Sequence, residues 1–195
     1  SEAIRKCGRT IVFCRTRKGV ERVGNELVDE GISVAILHGG LDQKKRDRAM
    51  AKFVEERCMA LIATDVAARG IDVAGINCVI HYDPPENGKA YKHRSGRTAR
   101  AGAKGSVISL VQNPQKKMCS SIQKDVGIFV KFSPPDFNDL PKYDVQYIPP
   151  PRRKEKPRKP TRDAKRARFH KKSSRRQDDR RSKRRSGNRR RSSRR

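Results

Sequence analysis

Residues 59–72 read MALIATDVAARGID, an apolar run that stops at a cluster of polar side chains. An unbroken apolar run of this length favours a short strand that is buried on both faces. Hydroxyl, carboxylate and guanidinium groups follow it at Thr64, Asp65, Arg69 and Asp72. A buried strand that ends in reactive groups is typical of α/β domains, which place their ligands at the carboxyl ends of parallel strands.

The same pattern recurs along the first two thirds of the chain. Apolar runs predict strands at 10–14, 33–37, 59–63, 78–82 and 106–111, with a weaker one at 128–132. Between the predicted strands, apolar residues recur at helical spacing. One apolar stripe consists of Val20, Val23, Leu27 and Val28, and a second consists of Ala49, Met50, Phe53 and Val54. Gly31 is expected to end the first helix and Asp42 to cap the second. We predict an open parallel sheet with helices on both faces.

A second polar segment, residues 93–102, reads HRSGRTARAG and spaces three arginines by three. In a helix, Arg94, Arg97 and Arg100 would lie along one face. Arginine stays charged and binds phosphate through two parallel hydrogen bonds, so such a row suits a transferring phosphoryl group. Taken alone, this segment would favour a solvated basic helix face, but the neighbouring polar loops favour an anion site.

Charge divides the chain into two parts. Residues 1–150 carry 25 Lys and Arg against 17 Asp and Glu, and residues 151–195 carry 24 against 4, so the total of +28 splits into +8 and +20. Phe169 is the only large apolar residue of the second part, which therefore cannot bury a core and is expected to be disordered. We predict a domain over 1–135, a proline-containing linker over 136–151 and a basic tail over 152–195.

Cysteine spacing and hydropathy exclude other classes of site. The five cysteines form no C-x-x-C pair and have no histidine at zinc-ligand spacing, so we expect buried thiols in a reducing compartment and no metal site. No run approaches the roughly 20 apolar residues of a membrane span. Because the chain starts at Ser1 without methionine and enters a strand within ten residues, we expect it to be a piece of a longer protein.

Four segments, 11–16, 38–46, 63–72 and 93–102, resemble in order and spacing motifs IV, IVa, V and VI of DEAD-box RNA helicases. The resemblance spans about residues 9–132. It implies the C-terminal RecA-like domain of such an enzyme, which closes over ATP and RNA together with an N-terminal RecA-like domain. Ala99 departs from the family pattern, since a glycine is usual at that place in motif VI.

The resemblance also implies roles for individual residues. Arg97 and Arg100 resemble the arginine fingers that reach the γ-phosphate, and Asp72 resembles the carboxylate that accepts a hydrogen bond from the ATP ribose. His93 and Arg94 correspond to residues that couple the domain to its partner. The positions that match contacts to RNA sugars and phosphates are Thr16, Gly39, Gln43, Arg46 and Thr64. For Thr16 and Thr64, local capping at strand ends is the alternative.

Two motifs of a complete ATPase are absent from these 195 residues. There is no G-x-x-x-x-G-K-[ST] loop to hold phosphates and no Asp-Glu-Ala-Asp segment to organise Mg²⁺. ATP with Mg²⁺ would therefore bind jointly with the N-terminal domain, and the isolated chain is expected to be inactive. The alternative is a non-enzymatic RNA-binding or RNA-annealing protein on a RecA-like scaffold. A DNA-acting helicase is less favoured because His93 is typical of RNA-acting members.

The basic tail is expected to anchor RNA by counterion release, whatever the RNA sequence. A solvated appendage is the alternative. We expect a cytoplasmic protein that does not bind membranes, although such a tail would equally suit a nuclear or nucleolar one.

Deleting residues 151–195 should remove most of the RNA affinity of the chain and flatten its salt dependence, because the tail holds most of the charge that displaces counterions. Fluorescence anisotropy at several salt concentrations measures both quantities. Equal affinity and equal slope for the two lengths of chain would show that the tail is a solvated appendage.

Overall fold

Five short strands and six α-helices alternate along the chain. The computed structural model describes residues 1–100, 102–134, 136, 138, 140, 143, 148 and 149. The strands are β1 (Thr10–Phe13), β2 (Val34–Leu37), β3 (Ala60–Ala63), β4 (Cys78–His81) and β5 (Ser106–Ser109). The α-helices are α1 (Glu2–Cys7), α2 (Arg17–Asp29), α3 (Gln43–Val54), α4 (Asp65–Ala68), α5 (Gly88–Ser95) and α6 (Lys116–Val126), with a 3₁₀ turn at Asn113–Gln115.

The strands form one parallel sheet in the order β2-β3-β1-β4-β5. In the register of the central strand, Ile11 of β1 lies beside Leu61 of β3 and Val79 of β4. All residues of β1 and β3 are buried, as the unbroken apolar runs predict. The predicted RecA-like α/β class is therefore confirmed, and five of the six predicted strands are present.

Alternate residues of each strand pack into two separate hydrophobic cores. Val12, Ile62 and Ile80 belong to a cluster with α1 and α2, whereas Ile11 and Leu61 belong to a cluster that includes Phe53 of α3. Side chains of a strand point to opposite faces in turn, so helices are needed on both sides of the sheet.

Helix starts follow the caps expected from the sequence. The hydroxyl of Thr16 accepts a hydrogen bond from Gly19 N at 3.0 Å at the start of α2, and the Asp42 carboxylate accepts one from Lys45 N at 2.8 Å at the start of α3. Both predicted helices are confirmed, and Gly31 follows the C-cap residue of α2, Glu30, with a φ of 81°. In α3 only Phe53 of the predicted stripe is fully buried, and Val54 is exposed.

The sixth predicted strand, 128–132, is wrong. These residues form no strand, and Phe129 and Val130 are exposed. The carbonyl of Val130 accepts a hydrogen bond from Gln123 Nε2 of α6 at 3.0 Å, so a side chain occupies a group that a sheet ladder would use. Residues with a high strand propensity need a neighbouring strand to pair with, and propensity alone does not provide one.

The predicted tail, 152–195, lies outside the described residues, as does most of the predicted linker, 136–151. Three described residues of that linker, Leu140, Tyr143 and Ile148, pack partly buried against the core cluster that contains α1 and α2. Tyr143 N also donates to Lys6 O at 3.2 Å. Among the described helices, none has the length and apolar character that crossing a membrane requires.

The predicted helical phase across residues 94–100 is also wrong. Helix α5 ends at Ser95, and Ala99 adopts a φ of 55°, which lies in the left-handed region. A side chain with a Cβ pays roughly 1–2 kcal/mol for that conformation, whereas glycine adopts it freely. The local backbone therefore accounts for the family's preference for glycine at this place.

Replacing Ala99 by glycine should raise the free energy of unfolding by about 0.5–1 kcal/mol, because the strain relieved exceeds the extra entropy of an unfolded glycine. The melting temperature should rise by a few degrees, on the order of 2–4 °C. The matched control is Ala51→Gly inside α3, which should lower stability by about 1 kcal/mol. Equal destabilisation by both substitutions in thermal unfolding would contradict the assignment of strain at Ala99.

Candidate functional site

The polar loops predicted from the sequence meet at one edge of the sheet. Because all five strands are parallel, their carboxyl ends share that edge. Thr16 follows β1, Gly39 follows β2, and Thr64 follows β3. Sites in open parallel sheets lie at this edge, so the fold brings together loops that are far apart in the sequence.

Arg94 connects three of these strand ends from inside the protein. It lies on α5, is only 3% exposed, and donates from Nε and Nη2 to the two carboxylate oxygens of Asp65 at 2.6 Å each. Its Nη1 donates to the carbonyl of Asp83 at 2.7 Å, and its guanidinium carbon lies 5.2 Å from the centre of the Phe13 ring. The side chain therefore holds the ends of β1, β3 and β4 in one arrangement.

Asp83 extends this connection to the loop that carries Thr16. Its carboxylate accepts a hydrogen bond from Arg15 N at 2.8 Å. Neither Asp65 nor Asp83 is among the site residues predicted from the sequence. The available signal was Asp65 itself, a carboxylate directly after a buried strand in a chain whose second polar loop is rich in arginine.

Arg97 and Arg100 lie apart from Arg94, in the loop after α5, and contact the segment between α4 and β4. The Arg97 guanidinium donates from Nη1 to the carbonyl of Ile71, and Arg100 donates from Nη1 to the carboxylate of Asp72 and from Nε to Gly96 O at 2.8 Å. Burial lowers the pKa of Arg97, the positive charge of Arg100 lowers it further, and Asp72 opposes both effects. The structure thus brings Arg97, Arg100 and Asp72 together.

These three groups face the surface, in contrast to Arg94. The Asp72 side chain is 90% exposed, and that of Arg100 is partly exposed. An exposed ion pair contributes little to stability. A ligand can therefore separate the Asp72 carboxylate from the Arg100 guanidinium at a small cost in free energy. The guanidinium donors and the carboxylate acceptor are therefore available to a ligand.

His93 and Arg94 are neighbours in sequence but differ in their surroundings. His93 is exposed on α5, whereas Arg94 is buried in the pair with Asp65. The predicted coupling of both residues to a partner domain stays a prediction. Of the two, only His93 lies on the surface.

The predicted RNA-contacting residues occupy the β1, β2 and β3 side of the edge. Thr16 is exposed, and its hydroxyl caps α2. Thr64 is buried at the start of α4, yet its side chain makes no capping hydrogen bond. The capping alternative is therefore seen at Thr16 and not at Thr64.

The other three RNA positions lie on or next to α3. Gly39 is exposed, and a Cβ added to it would lie 3.5 Å from the Arg17 guanidinium, so a cation stands beside this backbone. Gln43 Nε2 donates to Asp47 at 2.7 Å, and Arg46 is half-buried one turn further along the helix. Their contacts to RNA stay predictions.

Two histidines at strand ends are structural. His81 is fully buried, its Nδ1 lies 2.9 Å from Ser109 Oγ, and burial, assisted by the charge of Arg94, lowers its pKa to about 3. His38 is also buried, and its Nδ1 accepts a hydrogen bond from Gly40 N at 3.1 Å. The imidazole of His81 therefore stays neutral at physiological pH.

Cysteine chemistry and metal binding are not features of the described part of the chain. All five cysteines are free and buried, and burial raises the pKa of Cys14 to about 12 and that of Cys58 to about 11. The described residues contain no group of three or more His, Cys, Asp or Glu side chains arranged to hold a metal ion.

Comparison with known proteins identifies the family. Residues 2–102 match the helicase conserved C-terminal domain. The ATP-dependent RNA helicase SrmB of Escherichia coli is 48% identical over 104 residues, which are 53% of this chain and 23% of SrmB. DEAD-box ATP-dependent RNA helicase 53 of rice is 38% identical over 138 residues, which are 71% of this chain and 22% of the rice protein. The chain thus spans about a quarter of the length of these relatives.

Solved structures agree with the sequence match. E. coli SrmB, in its crystal structure with the regulator of ribonuclease activity A, is 42% identical with a TM-score of 0.59, over 62% of this chain and 71% of that one. Dbp5 of Saccharomyces cerevisiae bound to RNA and ADP BeF3 is 38% identical with a TM-score of 0.61, over 65% of this chain and 34% of that one. The chain therefore belongs to the helicase conserved C-terminal domain family, and its described domain is the C-terminal RecA-like domain of a DEAD-box RNA helicase.

Proposed function

We propose that this chain supplies one half of the ATP and RNA site of an ATP-dependent RNA helicase, and that an N-terminal RecA-like domain of the same protein supplies the other half. The observation that carries the proposal is the trio of Arg97, Arg100 and Asp72, which the loop after α5 and the segment between α4 and β4 bring together. A self-contained nucleotide site would need a phosphate loop, and the sequence has none.

Arg97 and Arg100 act electrostatically in this proposal. A guanidinium that faces the transferring phosphoryl group stabilises the charge on its oxygens without taking or giving a proton. The bond to Ile71 O orients Arg97, and the bond to Gly96 O orients Arg100, so both are positioned before the nucleotide arrives. Asp72 would leave Arg100 and accept a hydrogen bond from the ribose.

RNA would lie on the β1, β2 and β3 side of the same edge. Thr16, Gly39, Gln43, Arg46 and Thr64 offer hydroxyl, backbone, amide and guanidinium groups, which suit sugar and phosphate oxygens and do not read bases. We therefore propose binding that is independent of RNA sequence and use of ATP binding to separate short duplexes. Mg²⁺ would be held mainly by the partner domain.

The ion pair between the buried Arg94 and the partly exposed Asp65 supports coupling between the two ligands. Asp65 directly follows Thr64, a proposed RNA contact, and Arg94 lies three residues before Arg97, a proposed finger. RNA that displaced the loop after β3 would therefore also displace the loop that carries Arg97 and Arg100. A non-enzymatic RNA-annealing scaffold would have no need for two guanidiniums and an exposed carboxylate in this arrangement, so the enzymatic proposal is favoured.

For location, we propose the cytoplasm, with the nucleus or nucleolus as the alternative that the basic tail supports. The chain's net charge of +28 suits either compartment, since RNA is present in both.

In a two-domain enzyme in which an N-terminal RecA-like domain precedes this chain, Arg97→Ala or Arg100→Ala should lower RNA-stimulated ATP turnover by at least roughly 10²-fold, the scale of a lost arginine finger. A steady-state ATPase assay measures this. Arg48→Ala removes the same charge from an exposed position on α3 and is the matched control. Wild-type turnover by either finger variant would refute the assignment.

Mg-ATP alone should hardly change the stability of the chain, because half a site binds weakly and stabilisation depends on RT ln(1 + [L]/Kd). With the N-terminal domain, an ATP analogue and single-stranded RNA present together, the segments around Asp72, Arg97 and Arg100 should become strongly protected from hydrogen exchange. Strong protection of these segments by nucleotide alone would indicate a complete site within this chain and contradict the split-site proposal.

A further inference from the structure

An exposed aromatic segment lies outside every motif residue discussed above. Residues 129–132 read FVKF and follow α6; we call them the aromatic strip. Phe129 is 83% exposed and Phe132 is 38% exposed. These two are the only phenylalanines among the exposed large apolar side chains of the described residues. A soluble domain gains nothing in stability from leaving such side chains in water, so their exposure calls for a ligand.

Beside the aromatic strip lies a groove of about 580 Å³ between α5, α6 and the edge strand β5. Tyr91, Val107, Ile122 and Phe132 give it apolar and aromatic walls. The volume falls within the roughly 300–1,000 Å³ typical of small-ligand sites. The groove can therefore take a flat, partly apolar group of the size of a nucleobase.

The polar groups of this groove are cationic or neutral. Lys116 and Lys131 line it, and the side-chain amides of Asn113 and Gln123 lie with them. Among the described residues that line the groove, none carries a carboxylate. Aromatic faces next to lysines and free of acids are the combination that binds single-stranded nucleic acid, in which bases stack on rings and phosphates meet cations.

The position of the groove links it to the functional edge. Pro84 and Pro85, which line it, directly follow Asp83, whose carbonyl binds Arg94. Tyr91 lies on the same helix as Arg94, and its ring packs edge-to-face on His81 at 5.3 Å between centroids. A strand of RNA at the carboxyl edge of the sheet therefore has the groove at the β4 and β5 end of that edge.

We propose that this groove binds an unpaired base of single-stranded RNA, stacked against Phe132 at its wall with Phe129 flanking the groove, and that Lys116 and Lys131 provide charge for the neighbouring phosphates. The site is separate from the predicted backbone contacts at Thr16, Gly39, Gln43, Arg46 and Thr64. The inference rests on the proposed RNA-binding function of the chain. It adds contacts to bases, which those backbone contacts lack.

The test compares two 12-mers on the full 195-residue chain: single-stranded oligouridine, and an abasic oligomer with the same sugars and phosphates. The tail and the motif residues act on phosphates and bind both, so the difference in affinity reports on bases alone. The variant F129L/F132L should weaken oligouridine binding about 10-fold, since loss of stacking costs roughly 5- to 100-fold per base, and should leave the abasic oligomer unchanged. F129Y/F132Y, which keeps both rings, should bind both oligomers like wild type.

Further measurements test whether a loss of RNA binding comes from the groove or from unfolding of the domain. Val54→Ala changes an exposed apolar residue of α3 outside the groove and should have no effect. Equal melting temperatures for the leucine variant and wild type show that the fold is intact. A 4-thiouridine oligomer should crosslink to the tryptic peptides that contain Tyr91 or residue 132 more strongly in the wild type than in the leucine variant.

Equal affinity of the leucine variant and wild type for oligouridine would overturn the groove proposal and favour a peptide that pairs with the β5 edge. Equal weakening for both oligomers would overturn it too, because the loss would then not involve bases. Arg46→Ala distinguishes a failure of the groove proposal from a failure of the proposed RNA-binding function. If it weakens binding of both oligomers while the leucine variant binds normally, the RNA-binding function holds and only the groove fails.

Discussion

The arrangement of the carboxyl edge depends on one ion pair, in which the Arg94 guanidinium is buried and the Asp65 carboxylate is 42% exposed. Arg94 is 3% exposed, and a charge taken out of water to that extent must be fully paired. Asp65 provides two hydrogen bonds and the Asp83 carbonyl a third, so the guanidinium is satisfied on the sides that face the strand ends. Removing Asp65 would leave the buried guanidinium without a counter-ion, a loss that costs about 3–5 kcal/mol in a fully buried pair and less here, because water reaches the Asp65 carboxylate. The positions of the β1, β3 and β4 loops are therefore set together and not one by one.

Burial assigns different roles to arginines that are close in sequence. Arg94 is held in the interior and cannot leave Asp65 without a large penalty. Arg100 pairs with Asp72 at the surface, where an ion pair contributes little and exchanges readily. One segment of ten residues thus contains both a fixed structural cation and a cation that is available to a ligand. The three arginines therefore do not lie along one helix face, although their spacing suggests it.

The sequence predicts the elements with strong local signals and misses those that depend on distant partners. Unbroken apolar runs place the five strands, and Thr16 and Asp42 mark helix starts correctly, because capping involves residues only three positions apart. Strand 128–132 is mispredicted because pairing needs a neighbour that the local pattern cannot supply. Asp65 was missed as a site residue for the same reason, since its partner Arg94 lies 29 positions away in the chain. Local sequence patterns identify the candidate site residues, and the tertiary fold determines which of them come into contact.

The loop after α5, which carries Arg97 and Arg100, is fixed at its centre. Residues outside a helix can therefore still be held in defined positions. Thr98 is buried between Arg97 and Arg100, and its hydroxyl donates to Ile76 O. Gly105 permits this approach, because a Cβ there would lie 2.2 Å from the Thr98 hydroxyl oxygen and 2.7 Å from Ala99 N. The second of those atoms is backbone and cannot rotate away, so any larger residue at 105 would displace the loop. Arg97 and Arg100 are thus carried by a backbone that is itself held in place, and their guanidinium groups are oriented by Ile71 O and Gly96 O. Preorganisation of this kind lowers the cost of aligning charges with a transition state, since the protein orders the donors during folding and not during the reaction.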